Sequence, residues 1–360
     1  MKIKVAIDSR MITWTGVGAY LRNLLKFIDY TAILGDPALI SKPNVIKYTA
    51  PIYGIREQLS FPYSFLQKAK PDILHVPHSN IPWFYRGKIA VTIHDLTHLV
   101  YPKFLPHKKY ARISKLVYFY FYFLNWFACK RACHIIADSK NTKEDIIKIF
   151  KVKPERISVV HLGVCEEFTI KEKSAVEYLH KKYSIPTNKK ILLYVGNLTP
   201  HKNVEMLISA FAKMQSKNDC CLVLAGKAFD IFSGNQKAKE LGIENSVVQT
   251  GFISQEELID LYNLADLFVF PSIYEGFGLP VLESLACGTP VACSNTSSLP
   301  EVGGEFAFYF NPLNEDDIAM QIDRALHSKQ DPKELRNYAL QFSWKKTAEK
   351  TLNAFNAIFV

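Results

Sequence analysis

The sequence predicts an α/β protein made of two doubly wound domains. Three observations predict it. Short apolar, β-branched runs alternate with amphipathic stretches, the pattern of βαβ units and parallel sheets. The alternation runs through the first half of the chain and starts afresh in the second. A length of 360 residues holds two ordinary domains, and 48 % hydrophobic residues are enough to fill two cores.

The elements follow in order. Expected strands of the first half are Val5–Asp8, Ile73–Val76, Ile89–Ile93, His134–Ala137 and Ile157–His161, each a compact β-branched run. Helical spacing of apolar residues marks Tyr20–Ile28, His107–Cys133 and Asn141–Phe150. The charged stretch 166–189 contains Pro186 and reads as the connection, with the linker proper at 171–189. Strands are then expected at Ile191–Val195, Cys221–Ala225, Ser246–Thr250, Leu267–Phe270, Pro290–Cys293 and Phe306–Tyr309. Helices Asn203–Gln215, Ser254–Ala265, Val281–Cys287 and Glu315–Ser328 lie between them. The domains become 1–170 and 190–340, facing each other across a cleft. A last helix within 341–360 is expected to pack back on the first domain. Ligands of such sheets sit beyond the carboxyl ends of the strands.

Composition removes several classes. No stretch reaches the ~20 apolar residues of a membrane-spanning helix. The opening Met1-Lys-Ile-Lys-Val-Ala-Ile-Asp8 is a strand pattern rather than a signal peptide. Seven cysteines contain no Cys-x-x-Cys pair and fit a reducing cytoplasm. Cys129, Cys133 and His134 are expected to share a helix and to be buried in it rather than to hold a metal. Net charge is +10, unevenly placed: residues 1–184 hold 29 Lys+Arg against 14 Asp+Glu, the remainder 15 against 20. A basic first half suits nucleic acid, anionic lipid or a phosphorylated acceptor, or is simply a solvated lysine-rich surface. No nucleic-acid recognition motif is present, and the basic residues are dispersed.

The densest chemistry lies in Phe268-Val-Phe-Pro-Ser-Ile-Tyr-Glu275-Gly-Phe-Gly-Leu-Pro-Val-Leu-Glu283. A strand gives way to a glycine loop, and Pro280 opens a helix where its missing N–H does no harm. Backbone N–H groups gathered there suit an anion. Glu275 and Glu283 would repel phosphate and so are better placed to accept from sugar hydroxyls. Phosphate on one side and polyol on the other is what a nucleotide sugar requires. Val195-Gly196-Asn197-Leu-Thr-Pro-His-Lys202 repeats the strand–loop–helix pattern, with Gly196 letting backbone approach a ligand and Lys202 supplying a movable cation. Thr15-Gly16-Val-Gly18-Ala-Tyr20-Leu21 tempts a dinucleotide reading, but Leu21 stands where a third glycine belongs. His75, His78 and His98 match no compact metal site. The aromatic run 116–127, flanked by Lys108, Lys109, Lys115, Lys130 and Arg131, suits either a lipid interface or the core. Burial is favoured because no polar face is evident.

The Glu275–Glu283 segment, followed by Ala286-Cys-Gly-Thr-Pro-Val, resembles the Glu-x7-Glu motif of the glycosyltransferase 4 family, retaining enzymes of GT-B architecture. Ser297-Ser-Leu-Pro-Glu-Val302 strengthens the likeness to bacterial mannosyltransferases of surface polysaccharide synthesis. The resemblance implies a metal-independent, retaining hexosyltransferase that takes a nucleoside-diphosphate sugar and needs no cofactor. GDP-mannose is favoured over a UDP-hexose, and the acceptor is a saccharide or lipid-linked saccharide. It implies catalytic roles for His94, Lys202 and Glu275. His94, in the His94-Asp95 loop, would donate to a sugar hydroxyl. Glu275 would orient the hexose with the backbone of Phe277 and Gly278, and Gly276 and Leu279 would also bind the donor. Glu283 would hold the ribose, and the loop at Ile253 the base. Gly16, Gly18, Gly196 and Asn197 would line the phosphates. Asn197 stands where many members carry Arg, so His201 or Lys227 is expected to share that charge. No Asp-x-Asp occurs, which removes the metal site of the other major glycosyltransferase architecture. The rival readings are a nucleotide-sugar 2-epimerase and a non-catalytic anion- or nucleic-acid-binding protein. The implied place is the cytoplasm, with peripheral contact to anionic membrane through the basic half.

Overall fold

A computed structural model describes residues 3–102, 114–226 and 233–359. The chain divides into two compact units, Met1–Gly163 with Ser343–Val360, and Val164–Phe342.

The first unit is built on seven parallel strands, β1 (Val5–Asp8), β2 (Ala32–Gly35), β3 (Val45–Lys47), β4 (Ile73–Val76), β5 (Ile89–Ile93), β6 (His134–Ala137) and β7 (Ile157–Val159). Their order is β3-β2-β1-β4-β5-β6-β7. β1, β2, β4, β5 and β6 are buried throughout, which is why they read as unbroken apolar runs rather than as alternation. One apolar cluster gathers Leu66, Leu96, Ala128, Cys129 and Phe150 against Leu74, Val91 and Ile135 of the sheet. Helix Gly16–Phe27 packs against the C-terminal helix Trp344–Asn356. That last helix buries Trp344, Ala348 and Phe355, and its Thr347 hydroxyl donates to the His161 carbonyl at 2.8 Å.

The second unit holds six parallel strands, β8 (Lys190–Val195), β9 (Cys220–Ala225), β10 (Val247–Gly251), β11 (Leu267–Phe270), β12 (Val291–Ser294) and β13 (Ala307–Phe310). They run in the order β10-β9-β8-β11-β12-β13. Each sheet reverses its winding once, between β1 and β4 in the first unit and between β8 and β11 in the second. At such a switch point the loops leave in opposite directions and open a crevice at the carboxyl edge.

Several expectations need correction. Residues 171–189 are integral to the second unit: Val176 and Leu179 are fully buried, and Lys171 pairs with Asp260 at 2.6 Å. Their charges face water while two apolar anchors hold them down. The unit boundaries fall at Gly163/Val164 and Phe342/Ser343 rather than at 170 and 340. The long helix spans Ser114–Arg131; the rest of the expected 107–133 span up to residue 113, with Lys108 and Lys109, lies outside the described residues. Cys133 and His134 stand beyond that helix, Cys133 exposed and His134 opening β6. The aromatic helix is not simply buried. Leu124, Ala128 and Cys129 form its inner seam, while Leu116, Phe119, Phe123 and Trp126 are exposed.

Candidate active site

In the second unit the switch point is built from the loops after β8 and β11. Past β8, Gly196 lies under the Tyr194 ring, whose hydroxyl donates to the Asn197 carbonyl at 2.8 Å. The Asn197 side chain accepts from the Thr199 N–H at 3.3 Å, closing an Asx turn, and from the Thr199 hydroxyl at 2.7 Å. A 3-10 turn, Pro200–Lys202, follows, and Asn203 adopts φ 61° to start helix Val204–Lys213. The Ile273 N–H donates to the His201 carbonyl at 2.8 Å, so the two loops are stitched together. Lys202 therefore meets the other loop: its Nζ lies 2.5 Å from Glu275 Oε1, with both side chains about one-sixth exposed. It also lies 5.1 Å from the Phe270 ring centroid.

Past β11 the chain is held by serines that sequence reasoning passed over. The Glu275 N–H donates to Ser297 Oγ at 3.0 Å, and Ser298 Oγ donates to the carbonyls of Glu275 and Phe277 at 2.9 and 2.7 Å. The expected cluster of amides is thus smaller: Glu275 gives its own to Ser297, Pro280 has none, and the Val281 and Leu282 N–H groups donate to the Gly278 carbonyl. Gly278 has φ 115°, a conformation that requires glycine, and a Cβ there would lie 2.7 Å from Leu299 Cδ2, which would have to shift. It is the N-cap of helix Leu279–Ala286, which carries Glu283. The Tyr262 hydroxyl donates to Glu283 Oε2 at 3.0 Å. Burial pushes the Glu283 carboxyl up to about 7, and the Tyr262 hydrogen bond offsets only part of that. Ile253 is half-buried in the loop after β10, three strands from β11 along the same edge. Lys227 lies outside the described residues.

In the first unit, His94 follows β5 and Asp138 follows the adjacent β6. Their side chains meet at 2.7 Å, His94 Nδ1 to Asp138 Oδ2. Sequence reasoning singled out His94 but not this partner; its signal was a polar residue closing a neighbouring buried strand. Gly16 and Gly18 lie in the first turn of helix Gly16–Phe27 rather than in a loop before it. A Cβ on Gly18 would stand 2.5 Å from the Ile12 carbonyl oxygen, so its smallness serves the packing of that turn. At the β1–β4 switch point, Arg10 bridges Asp8 and Glu57 at 2.5 and 2.6 Å, and His78 lies 3.3 Å from Asp8. Burial raises the Asp8 carboxyl, but Arg10 and His78 hold it well below the usual range. Among the described residues, no three His, Cys, Asp or Glu side chains cluster as a metal's ligands would.

Two parallel-sheet units, with a Lys–Glu pair and a second glutamate at one switch point, match the frame of sugar-transferring enzymes. The family models agree: Glycosyl transferases group 1 matches residues 176–342, and Glycosyltransferase Family 4 matches 38–168. The chain belongs to the group 1, family 4 glycosyltransferases. Among relatives of this family, the serotype-specific mannosyltransferase WbdA of Escherichia coli is 33 % identical over 79 % of this chain and 34 % of its own length. This chain therefore spans about a third of that relative. The O-antigen chain mannosyltransferase B of Escherichia coli is 29 % identical over 81 % of this chain and 76 % of its own. A glycosyltransferase structure from Rickettsia africae superposes with a TM-score of 0.78 at 18 % identity, covering 99 % of each chain. For this glycosyltransferase family member the GT-B fold expected from the sequence is thereby shown.

Proposed function

We propose that this chain transfers a hexose, mannose in the first place, from a nucleoside-diphosphate sugar to a saccharide or lipid-linked acceptor in surface polysaccharide synthesis. The observation that carries it is the Lys202–Glu275 pair at the β8–β11 switch point, with Glu283 on the helix Leu279–Ala286 that follows. Lys202 is a cation held in place by a carboxylate that phosphate oxygens would displace. Once released, Glu275 would accept from hexose hydroxyls, and Glu283 from the ribose. Lys202 and N–H groups of the Gly276–Gly278 loop would stabilise the departing diphosphate, the electrostatic contribution that dominates such transfers. His94 keeps the role the resemblance gives it, a donor to a sugar hydroxyl. We read the transfer as retaining and metal-independent, with same-face attack and the leaving phosphate taking the acceptor's proton. GDP-mannose is preferred over a UDP-hexose because the named relatives are mannosyltransferases.

Thermal-shift measurements against GDP-mannose, UDP-glucose and UDP-GlcNAc test the donor. A nucleotide at a hundredfold excess over its dissociation constant stabilises the fold by about 2.7 kcal/mol. Turnover unaffected by EDTA and an axial–equatorial assignment of the product by NMR test the rest. A donor altered at C2 with no acceptor present would point to the epimerase reading instead.

The same reading places the protein in the cytoplasm, where its seven free cysteines stay reduced, and against the inner face of an anionic membrane. Leu116, Phe119, Phe123 and Trp126 recur at helical spacing and are 68, 62, 46 and 38 % exposed. Arg131 donates to the carbonyls of Tyr85 and Gly87, which brings Trp83 and Phe84, also exposed, alongside. Lys115, Lys130 and Arg86 are exposed nearby, and neither helix Ser114–Arg131 nor the stretch 77–94 contains an acidic residue. Aromatic side chains edged by cations alone suit an anionic lipid surface.

A further inference from the structure

The pairing of β5 with β6 sets Ile93 beside Ala137, so the residues that follow, His94 and Asp138, leave the sheet side by side. Asp138 is 2 % exposed. One oxygen of its carboxylate takes the His94 Nδ1 contact at 2.7 Å, and the other, Oδ1, has no hydrogen-bond partner. A buried carboxylate with so little hydrogen bonding is costly unless a charge answers it. The opposite ring nitrogen, His94 Nε2, is itself buried and meets no acceptor at full hydrogen-bond geometry, the Pro77 carbonyl acting on the ring, while other atoms of the side chain keep 17 % of its surface exposed. The ring cannot rotate freely. Tyr20 stands edge-on to it at 4.9 Å and 78°, and the Tyr20 hydroxyl is tied to Thr92 Oγ1 at 3.1 Å.

We infer that Asp138 is a positioning residue, whose buried charge holds His94 by Nδ1 and keeps the ring doubly protonated, so that the exposed edge of the ring meets an oxygen of the substrate as a cation. The inference rests on the glycosyl-transfer reading for what His94 touches, but the dyad itself does not depend on it. The groups facing the ring are Asp138, Asp95, the carbonyl of Pro77, Tyr20 and His75, with His161 acting on Asp138. Burial works against the imidazolium. Asp138, by charge and by hydrogen bond, outweighs it, with Asp95 and the Pro77 carbonyl adding to the same side, so His94 titrates above its ordinary value of 6.5. His75, buried and pushed down to about 3, stays neutral through the working range and does not titrate alongside.

The test uses the whole chain with 15N-labelled histidine, the His94 signals being assigned by their loss in His94→Ala. The free wild-type protein is expected to show His94 titrating above 6.5, and Asp138→Asn to lower that midpoint by about one unit or more. Turnover should fall as pH rises through the His94 midpoint, and Asp138→Asn should move that limb to lower pH by the same amount. In a His94→Ala background Asp138→Asn should cost nothing further. A wild-type His94 midpoint at or below the ordinary value overturns the inference. So does an Asp138→Asn loss that is uniform across pH, or one that persists without His94, because either marks a structural role. If no nucleotide sugar is turned over, the functional reading fails while the titration still decides the dyad.

Discussion

Lys202 and Glu275 satisfy each other, and each is proposed to be needed by a different part of the substrate. Replacing either with alanine is expected to lower turnover at least ~100-fold while the fold survives, since neither is part of a core. Steady-state kinetics with a matched melting curve checks this, and near-normal turnover in either variant would contradict the roles given. Glu283 carries a separate signature. Its folded value of about 7 lies above its ordinary 4.5, because burial favours the neutral acid. The stability that this preference contributes is complete below 4.5 and is lost as pH rises through 7. The loss is on the order of 3 kcal/mol. Glu283→Gln keeps the neutral shape, so it should melt higher than wild type at pH 8 and level with it at pH 4.5. A difference independent of pH would show that Glu283 does not titrate in this way. At this scale the sequence was readable wherever chemistry sat in one short run. Glu275, Gly278 and Glu283 occupy nine residues, and Lys202 has its own loop. Asp138 was not readable, because its meaning comes from a partner 44 residues away that only strand pairing brings near.

Elements were legible where burial came with a continuous β-branched or aromatic run. β1, β4, β5, β6 and β11 match the expected bounds because strands covered on both faces leave continuous apolar runs. β2 and β3 went unseen: Ala32–Gly35, though buried, has one β-branched residue between Ala and Gly ends, and Val45–Lys47 is a half-exposed edge of three. The short helices Ile55–Leu59 and Tyr63–Ala69 were missed for a similar reason, having too few turns to show a period. Glycine contacts carry the element-scale predictions. Gly163 packs against the backbone of Trp344, where the C-terminal helix joins the first unit, and a Cβ there would overlap that backbone. Gly163→Ala should therefore destabilise the protein by about 1–3 kcal/mol. Protection of amides in helix Trp344–Asn356 should fall first in hydrogen exchange, and unchanged protection would show that the joint tolerates the methyl group. Gly278→Ala combines a clash with Leu299 and a positive φ, and it should cost a similar about 1–3 kcal/mol while also displacing the loop that holds Glu275. A thermal melt gives the first effect and loss of nucleotide-induced stabilisation the second.

Across the whole molecule charge and apolar exposure are divided unequally. The first unit, with the C-terminal helix, holds 28 Lys+Arg against 11 Asp+Glu, and the second holds 16 against 23. The exposed aromatic face of helix Ser114–Arg131 belongs to the basic unit. If the protein meets an anionic membrane, the two contributions separate by salt. Cations near an anionic surface are worth about 1 kcal/mol each and act within a Debye length, ~10 Å at 0.1 M salt and ~3 Å at 1 M. Burying a large aromatic or aliphatic side chain is worth about 1.5–3 kcal/mol and does not depend on that length. Lys115→Glu with Lys130→Glu should thus weaken flotation with phosphatidylglycerol vesicles at low salt, with the difference from wild type shrinking as salt is added. Phe119→Ser with Phe123→Ser should weaken it at every salt concentration. Neither pair touches Lys202, Glu275 or Glu283, so turnover of a soluble acceptor should stay near wild type in both. Equal flotation of all three proteins, or equal binding to neutral phosphatidylcholine vesicles, would remove the membrane from the reading and leave the aromatic face to another partner.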